Sequence, residues 1–280
     1  MRAPIAWLWI GVFLAFSAAF MVAPAAMLAV QAFSDDDGFT LQYFAELGQY
    51  RYVTAFQNSL LLSFASASVG VVAGGLIAYA LQKPGTGKAR AAVTSFAAVA
   101  ANFAGVPLAF SFIATVGTLG LLTTMLKSIG IDLYGMGFSL FSISGLTLVY
   151  AYFQIPLMVI VFSPALEGMR PAWREAAATM GATSRQYWRL VGLPVLAPSL
   201  LASWILLFGN AFSAYATAYA LTSGNIILVT TEISAVLSGN VSNEPQVGAA
   251  LSLGMIVVMV LVLVASQVVG SRAARWTAKR

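Results

Sequence analysis

The sequence predicts an all-α protein that crosses a membrane six times, and three observations carry this prediction. Hydrophobic residues make up 60% of the 280 positions and charged residues only 8%, whereas about 25% charged residues is usual in a soluble domain. Six apolar stretches are long enough to span a bilayer as helices. None of them alternates polar and apolar residues as the strands of a membrane β-barrel do. The composition therefore argues against a soluble enzyme or a nucleic-acid-binding protein.

The six predicted spans follow one another along the whole chain. They cover 7–33, 58–81, 93–117, 141–162, 196–221 and 247–269, and none contains Asp, Glu, Lys or Arg. The first stretch has the small residues of a cleavable signal peptide near Pro24, but its apolar run exceeds the roughly 7–15 residues of such a signal. We therefore predict an uncleaved first span.

The basic residues set the predicted orientation. Lys and Arg accumulate on the cytoplasmic side of membrane proteins, and twelve of the fourteen fall on one side of the six spans, leaving Arg51 and Lys127 on the other. We therefore predict that both termini are cytoplasmic. The twelve are Arg2, Lys83, Lys88, Arg90, Arg170, Arg174, Arg185, Arg189, Arg272, Arg275, Lys279 and Arg280. The opposite side holds seven of the nine acids, namely Asp35, Asp36, Asp37, Glu46, Asp132, Glu232 and Glu244.

Small residues and prolines predict how the spans pack and bend. Ser66, Gly70, Gly74 and Ala78 recur every four residues in the second span, a pattern that lets helices pack closely in lipid. Pro107 lies near Gly105 and is expected to kink the third span. Outside the spans, the connection 118–140 is half apolar and predicts a short helix, whereas 34–56 and 223–246 are expected to be loops.

The connection 164–194 between the fourth and fifth spans carries the main functional signal. Pro171 suits the first turn of a helix, the alanines that follow favour helix, and Gly181 occupies a position where helices commonly end in a left-handed residue. A second short helix is predicted over 184–191, stopping before Pro194. These features alone leave open whether the connection is an ordinary amphipathic loop or a docking surface.

The same connection resembles a known motif. Glu175-Ala176-Ala177, three residues, Gly181, nine residues and then Val191-Gly192-Leu193-Pro194 are similar to the EAA motif, Glu-Ala-Ala, three residues, Gly, nine residues and Ile-x-Leu-Pro. Only Val191 departs from it. With this motif between the fourth and fifth of six spans, and Asn58-Ser59-Leu60 opening the second, the chain resembles the MetI-like type I permease subunits of bacterial binding-protein-dependent ABC importers.

The resemblance implies a division of labour among several chains. Residues 1–280 would form one permease domain in the bacterial cytoplasmic membrane, surrounded by lipid, and 164–194 would be the coupling loop that docks on a separate ATPase dimer. That dimer would hold ATP and Mg²⁺, so neither a cofactor, a metal nor catalysis is expected on this chain. A second, distinct permease subunit and a periplasmic or lipid-anchored substrate-binding protein complete the partners. The coupling residues implied are Arg174, Glu175, Ala176, Ala177, Gly181, Leu193 and Pro194.

The sequence itself offers no ATP site. Gly85-Thr86-Gly87-Lys88 invites comparison with a phosphate-binding loop, but that loop needs Gly at position 82 and Ser or Thr at position 89. These positions hold Gln82 and Ala89. A tight basic turn is the preferred interpretation.

Polar side chains inside the spans are candidates for a translocation path, because they are costly in lipid and usually face a cavity or another helix. The alternative is plain interhelical hydrogen bonding. Spacing places Asn210 and Ser213 on one helix face and Tyr215 and Tyr219 on another. The candidates are Asn102, Gln154, Asn210, Ser213, Tyr215 and Tyr219.

The transported solute is predicted only as a class. The stretch from Asn210 to Tyr215 resembles polyamine-type permeases, which favours a small polar or cationic solute such as spermidine or putrescine. Permeases of the same type for iron(III), thiamine, phosphonate or sulfate are alternatives. A secondary transporter driven by an ion gradient is a further alternative, although the spans lack the charged groups that such coupling commonly uses.

Overall fold

The computed structural model describes residues 3–35, 38–83, 85–238 and 245–278, and these are largely helical. Within them, six helical stretches are long and apolar enough to cross a membrane, which confirms the predicted all-α class and the number of spans. They are Trp9–Ala32, Tyr50–Ala80, Val106–Ser128, Ile143–Glu167, Ser184–Ser213 and Pro245–Val268. The chain is therefore a multi-pass membrane protein. Arg2, Asp36, Asp37, Glu244, Lys279 and Arg280, which entered the orientation prediction, lie outside the described residues.

The helices follow in chain order with few strands between them. The first part comprises α1 (Ala3–Ser17), a π-helical segment (Ala18–Val22), α2 (Ala23–Ala32), the antiparallel strands β1 (Ser34–Asp35) and β2 (Gly38–Phe39), α3 (Gln42–Glu46) and α4 (Tyr50–Ala80). The middle part comprises α5 (Gly87–Asn102), α6 (Val106–Val116), α7 (Leu121–Ser128), α8 (Ile143–Glu167), α9 (Pro171–Thr179) and α10 (Ser184–Tyr187). A second π-helical segment (Trp188–Gly192), α11 (Leu193–Ser213), α12 (Ala216–Thr222), α13 (Val229–Leu237) and α14 (Pro245–Ala278) complete the chain.

Two predicted spans are wrong in their extent because their helices break. The predicted third span, 93–117, is interrupted between α5 and α6, where Gly105 has a φ of 77°. The apolar stretch of membrane length there is instead Val106–Ser128, which includes the predicted short helix as α7. The predicted fifth span, 196–221, breaks after Ser213, where Ala214 adopts extended backbone before α12.

Two further corrections concern the predicted loops 34–56 and 223–246. Helix α4 begins at Tyr50, eight residues before the predicted second span, so Arg51 lies in its first turn. The connection 223–246 contains the helix α13, although its valine and threonines have only modest helix propensity. Its Thr231 hydroxyl accepts a hydrogen bond from the Leu228 amide at 3.1 Å, which caps the helix start.

The chain divides into two compact units. The first comprises residues 1–56 and 228–258, and the second comprises 57–227 and 259–280. In the first unit, Arg51 forms an ion pair with Glu232, with its Nε 2.5 Å from Oε2 and its Nη2 3.1 Å from Oε1. Glu232 is 3% exposed, and a buried carboxylate is tolerated when it is paired in this way. The pair therefore fixes α13 against the start of α4.

Helix α8 forms the centre of the second unit. Its buried residues lie on all sides of the helix, as expected for a helix surrounded by other helices rather than one with a single apolar face. The hydroxyl of Ser142 caps it by accepting a hydrogen bond from the Gly145 amide at 3.2 Å. Helices α5 and α11 pack along it, so α8 is the element that positions its neighbours.

The small residues of α4 pack against α8, which confirms the predicted stripe. Ser66 and Ala78 are fully buried. A Cβ added at Gly70 would lie 2.9 Å from the Cβ of Gln154, and one added at Gly74 would lie 2.5 Å from the Ile155 carbonyl oxygen. The backbones approach so closely that no larger side chain fits at Gly74 without movement of α8.

We predict that Gly74→Ala destabilises the protein by about 1–3 kcal/mol, the usual cost of overpacking a filled core. Gly75→Ala is the matched control, because a Cβ there meets only the Met158 Cε at 3.7 Å. The free energy of unfolding in detergent, followed by circular dichroism, measures both. Equal free energies of unfolding for the two variants would contradict the close packing of α4 on α8 at Gly74.

Candidate functional site

The predicted docking loop begins with α9, whose ends are formed as the sequence predicts. Pro171 occupies the first helical turn, and Gly181 follows the helix with a φ of 78°. The Ala182 amide donates to the Ala177 carbonyl at 2.9 Å and the Gly181 amide to the Ala178 carbonyl at 2.9 Å. These two bonds are the Schellman pattern, which satisfies the last carbonyls of a helix. The left-handed conformation predicted for Gly181 is confirmed.

Gly181 is required for its backbone rather than for space. A Cβ there would meet no atom within 4 Å, so the neighbourhood leaves room for a side chain. Any other residue would instead hold the left-handed conformation at a cost of roughly 1–2 kcal/mol.

The second short helix starts as predicted but does not end before Pro194. Thr183 and Gln186 form a capping box at the start of α10, with the Thr183 amide donating to Gln186 Oε1 at 2.7 Å. The helix then continues through the π-helical segment into α11 without a break. There the Leu193 amide donates to the carbonyl of Trp188, five residues earlier. The prediction of a stop was wrong because this wider turn accommodates Pro194, which has no amide hydrogen to donate.

Gly192 within the motif allows Trp188 to pack against the helix. A Cβ at Gly192 would lie 2.6 Å from Cε3 of the indole ring, closer than any real contact. Trp188 also contacts the ring of Tyr79 edge-on, with the centroids 5.0 Å apart. The π-helical segment is thereby joined to the end of α4.

The motif residues separate into exposed and buried positions. Glu175 and Ala176 on α9 are exposed, whereas Ala177 is buried at 6% exposure. Leu193 is 51% exposed and Pro194 is half-buried at the start of α11. On α9 the exposed motif residues are therefore Arg174, Glu175 and Ala176, whereas Ala177 packs within the chain.

Arg174 has a different environment from Glu175. It is exposed, but it also lines a pocket between the start of α9 and the ends of α4 and α8. Arg174 lies three residues before the buried Ala177, so the two share a helix face. The arginine therefore borders both the outer surface of the loop and the pocket.

The structure brings two of the predicted intramembrane residues together. Gln154 on α8 is fully buried, and its Nε2 donates to the Leu207 carbonyl at 2.6 Å. Asn210 on α11 is exposed and donates from Nδ2 to Gln154 Oε1 at 3.4 Å. This pair corresponds to the predicted alternative of interhelical hydrogen bonding, although Asn210 keeps an exposed part.

The other four candidates lie apart from this pair. Asn102 and Ser213 are exposed and bond to carbonyls of their own helices, Ala98 at 2.8 Å and Gly209 at 2.9 Å. Tyr215 and Tyr219 stack on each other with centroids 5.3 Å apart, as their spacing predicts. All four border the two helix breaks, at the end of α5 and between α11 and α12.

Both breaks are stabilised by residues that the sequence analysis missed. The amide of Gly105, at the first break, donates to the buried Thr217 hydroxyl at 2.7 Å. The carbonyl of Ala214, at the second, accepts a hydrogen bond from the Tyr150 hydroxyl at 2.9 Å. Non-helical backbone at membrane depth occurs where protein satisfies its polar groups, and interrupted helices often line transport sites. No motif in the sequence singles out Tyr150 or Thr217.

The turn before α5 fits the interpretation drawn from the sequence. Gly85 has a φ of 87°, and the Thr86 hydroxyl donates to the carbonyls of Leu81 and Lys83 at 2.8 and 2.7 Å. A hydroxyl used to close the turn is not directed toward a phosphate. The turn therefore connects α4 to α5.

Solved structures show the same fold. Over 96% of both chains, the protein matches a chain of a bacterial ABC transporter involved in the import of the acidic polysaccharide alginate, with a TM-score of 0.74 and 19% identity. It also matches the MetNI methionine ABC transporter, with a TM-score of 0.59 and 16% identity over 79% of this chain and 95% of that one. The chain has the fold of an ABC transporter permease subunit.

Curated relatives resemble shorter parts of the sequence. The sulfate transport system permease protein CysT of Salmonella typhimurium is 38% identical over 82 residues, 29% of each chain. The thiamine transport system permease protein ThiP of Escherichia coli is 28% identical over 115 residues, 41% of this chain and 21% of that protein. The matched region thus spans less than a third of either relative. No family model matches the sequence.

We predict that Tyr150→Phe lowers the free energy of unfolding by about 1 kcal/mol, because the Ala214 carbonyl at the helix break loses its hydroxyl partner. Tyr219→Phe makes the same chemical change on an exposed ring and is expected to have little effect. Denaturant titration in detergent micelles compares the two. If Tyr150→Phe leaves the free energy of unfolding unchanged, the Ala214 carbonyl has another hydrogen-bond partner and the prediction is wrong.

Proposed function

We propose that this chain is a membrane-spanning permease subunit of a binding-protein-dependent ABC importer. The observation that carries the proposal is the loop from α9 to α10, an exposed Glu175 and Ala176 beside a glycine-terminated helix, in a chain with the permease fold. The sulfate and thiamine permeases among its relatives support the same function.

In this proposal, α9 docks on a separate ATPase. The small exposed side chains of α9 allow a partner surface to approach closely, and the Glu175 carboxylate binds a basic or polar group there. Gly181 fixes the direction in which the chain leaves the docking helix. ATP and Mg²⁺ bind to the ATPase dimer and not to this chain.

The translocation path is proposed to pass the two helix breaks. Asn102 lies before the first break, and Ser213, Tyr215 and Tyr219 lie around the second, where side chains and backbone depart from regular helix. Exposed Asn210 adds an amide one helical turn before the second break. Movement of α11 and α12 would open this region to one side of the membrane at a time, which is alternating access.

The remaining partners and the orientation follow from the same proposal. A binding protein delivers the solute to the outer face, and a second, distinct permease subunit completes the path through the cytoplasmic membrane. The side rich in Lys and Arg faces the cytoplasm, with both termini inside. One of the structural neighbours was solved in complex with an alginate pentasaccharide-bound periplasmic protein, which supports a binding-protein partner of this kind.

The solute is proposed as a small polar molecule. The names of the relatives point to sulfate and thiamine, and the polyamine that the stretch 210–215 favours has no counterpart among them. Uptake of labelled sulfate, thiamine and spermidine by the reconstituted importer distinguishes the three. Iron(III) and phosphonate are tested in the same assay if none of these is taken up.

We predict that Glu175→Lys reduces solute-stimulated ATP hydrolysis in proteoliposomes at least about tenfold, since reversing one charge of a docked pair costs several kcal/mol. Gly181→Val is expected to act in the same direction through the backbone strain of its left-handed position. Asp132→Lys is the charge-matched comparison in another connection, where Asp132 is half-buried and pairs with Lys127 at 3.3 Å, so its insertion and helicity are checked in the same way.

The outcomes separate the proposal from its alternatives. Both loop variants must insert and keep their helicity, so that the loss reflects docking rather than folding. Unchanged hydrolysis in Glu175→Lys would remove α9 as the docking helix. Uptake that continues without an ATPase and follows an ion gradient would replace the proposal with secondary transport.

A further inference from the structure

Two cavities in the second unit share three lining residues. An apolar groove of about 410 Å³ lies between α4 and α11, and a polar pocket of about 400 Å³ lies beside the start of α9. Tyr79, Leu166 and Trp188 line both. The two cavities therefore adjoin and form a recess that is apolar at one end and polar at the other.

The apolar end lies within the membrane-spanning stretches. Its walls come from α4 and α11, and they include Val72 at 63%, Leu76 at 65% and Leu193 at 51% exposure. Gly75 contributes no side chain to its floor. A groove of this kind at membrane depth suits an extended alkyl chain.

The polar end lies where α4 and α8 finish and α9 begins. Arg170 and Arg174 line it, and neither is among the ion pairs found in the described residues. Glu167 also lines it, but its carboxylate is bound by the Arg90 guanidinium. The positive charge of the two arginines is therefore not neutralised within the described chain.

Gln82 adds an unsatisfied donor to the same end. It lines the pocket, and its Nε2 is buried without a hydrogen-bond partner in the described residues. Buried donors normally have an acceptor. Two free guanidinium groups and one unsatisfied amide together select for an anion with several acceptor oxygens.

We propose that this recess binds an anionic phospholipid, with its headgroup beside Arg170 and Arg174 and one acyl chain in the groove between α4 and α11. Basic pockets at the ends of transmembrane helices bind anionic lipid headgroups. The headgroup phosphate accepts from the arginines and Gln82, while the chain covers Val72 and Leu76. The inference needs only membrane insertion and does not depend on the importer function.

A phospholipid accounts for both ends of the recess at once. A free anion would satisfy Arg170 and Arg174 but would leave the apolar groove uncovered. A second copy of this chain would cover the groove but would bring another basic loop toward the same arginines, a repulsive arrangement. Charge complementarity therefore favours the lipid.

The absence of cysteine from the sequence allows a single reporter to be placed in the groove. Leu76→Cys carries a bimane fluorophore there, and Leu261→Cys carries it at an equally exposed site of α14, with exposures of 65% and 62%. The full-length chain is reconstituted in nanodiscs containing phosphatidylglycerol or phosphatidylcholine with brominated acyl chains, which quench bimane on contact.

We predict that the brominated phosphatidylglycerol quenches the Leu76 reporter at a mole fraction on the order of tenfold lower than the phosphatidylcholine, given the attraction of two arginines for an anionic lipid. The Leu261 reporter should not discriminate. The double change Arg170→Gln and Arg174→Gln should abolish the preference at Leu76. Arg170 makes no side-chain cap bond to α9, so the change leaves the helix intact.

The control variant removes two positive charges that lie outside the recess. Arg185→Gln with Arg189→Gln also lowers the net charge by two, but neither residue lines the recess, and the preference at Leu76 should remain. Val72→Trp fills the groove and should reduce quenching by both lipids while helicity stays constant.

Three results would overturn the proposal. One is equal quenching of the Leu76 reporter by the two lipids. Another is loss of the preference when millimolar inorganic phosphate is added, which would identify a site for a free anion. The third is efficient cross-linking of Leu76→Cys between two copies by a short bismaleimide, which would identify the groove as a subunit interface.

Discussion

A backbone group that leaves the helical hydrogen-bond pattern needs another partner when water is scarce, and two helix breaks in the second unit show how neighbouring helices supply one. Its helices break at Gly105 and Ala214, and each break receives a hydroxyl from a neighbouring helix. Tyr150 and Gln154, on adjacent turns of α8, both donate to carbonyls of the α11 region. At each of these breaks, one backbone group that leaves the helical pattern is thus paired with a side-chain hydroxyl.

The number of spans and the helix α9 could be predicted because their signals are local. Twenty apolar residues without charge specify a span, and Pro171 and Gly181 mark the two ends of α9 through their own backbone preferences. The stripe from Ser66 to Ala78 likewise predicts close packing from spacing alone. These features need no knowledge of distant residues.

The sequence predicted a kink at Pro107, and the first break lies two residues earlier, at Gly105. The second break and α13 could not be predicted because they depend on distant partners. Nothing near Ala214 indicates that Tyr150, 64 residues earlier, donates to its carbonyl. Helix α13 has modest intrinsic propensity, and its Glu232 is buried by pairing with Arg51, 181 residues away. The stop predicted before Pro194 was wrong for a local reason, because the bond from the Leu193 amide to the Trp188 carbonyl forms a wider turn in which the helix continues.

The unbroken path from α10 through the π-helical segment into α11 has a mechanical consequence. Residues Ser184–Ser213 form one continuous helical stretch, about 45 Å long at the usual rise per residue. One end of this stretch follows the proposed docking helix α9, and the other end lies at the break beside Tyr150. Asn210 lies on this stretch, whereas Tyr215 lies beyond its end, so we expect a tilt imposed at Ser184 to change the position of Asn210. Pro194, at which the sequence predicts a stop, instead lies within the helix that joins the connection 164–194 to the fifth span.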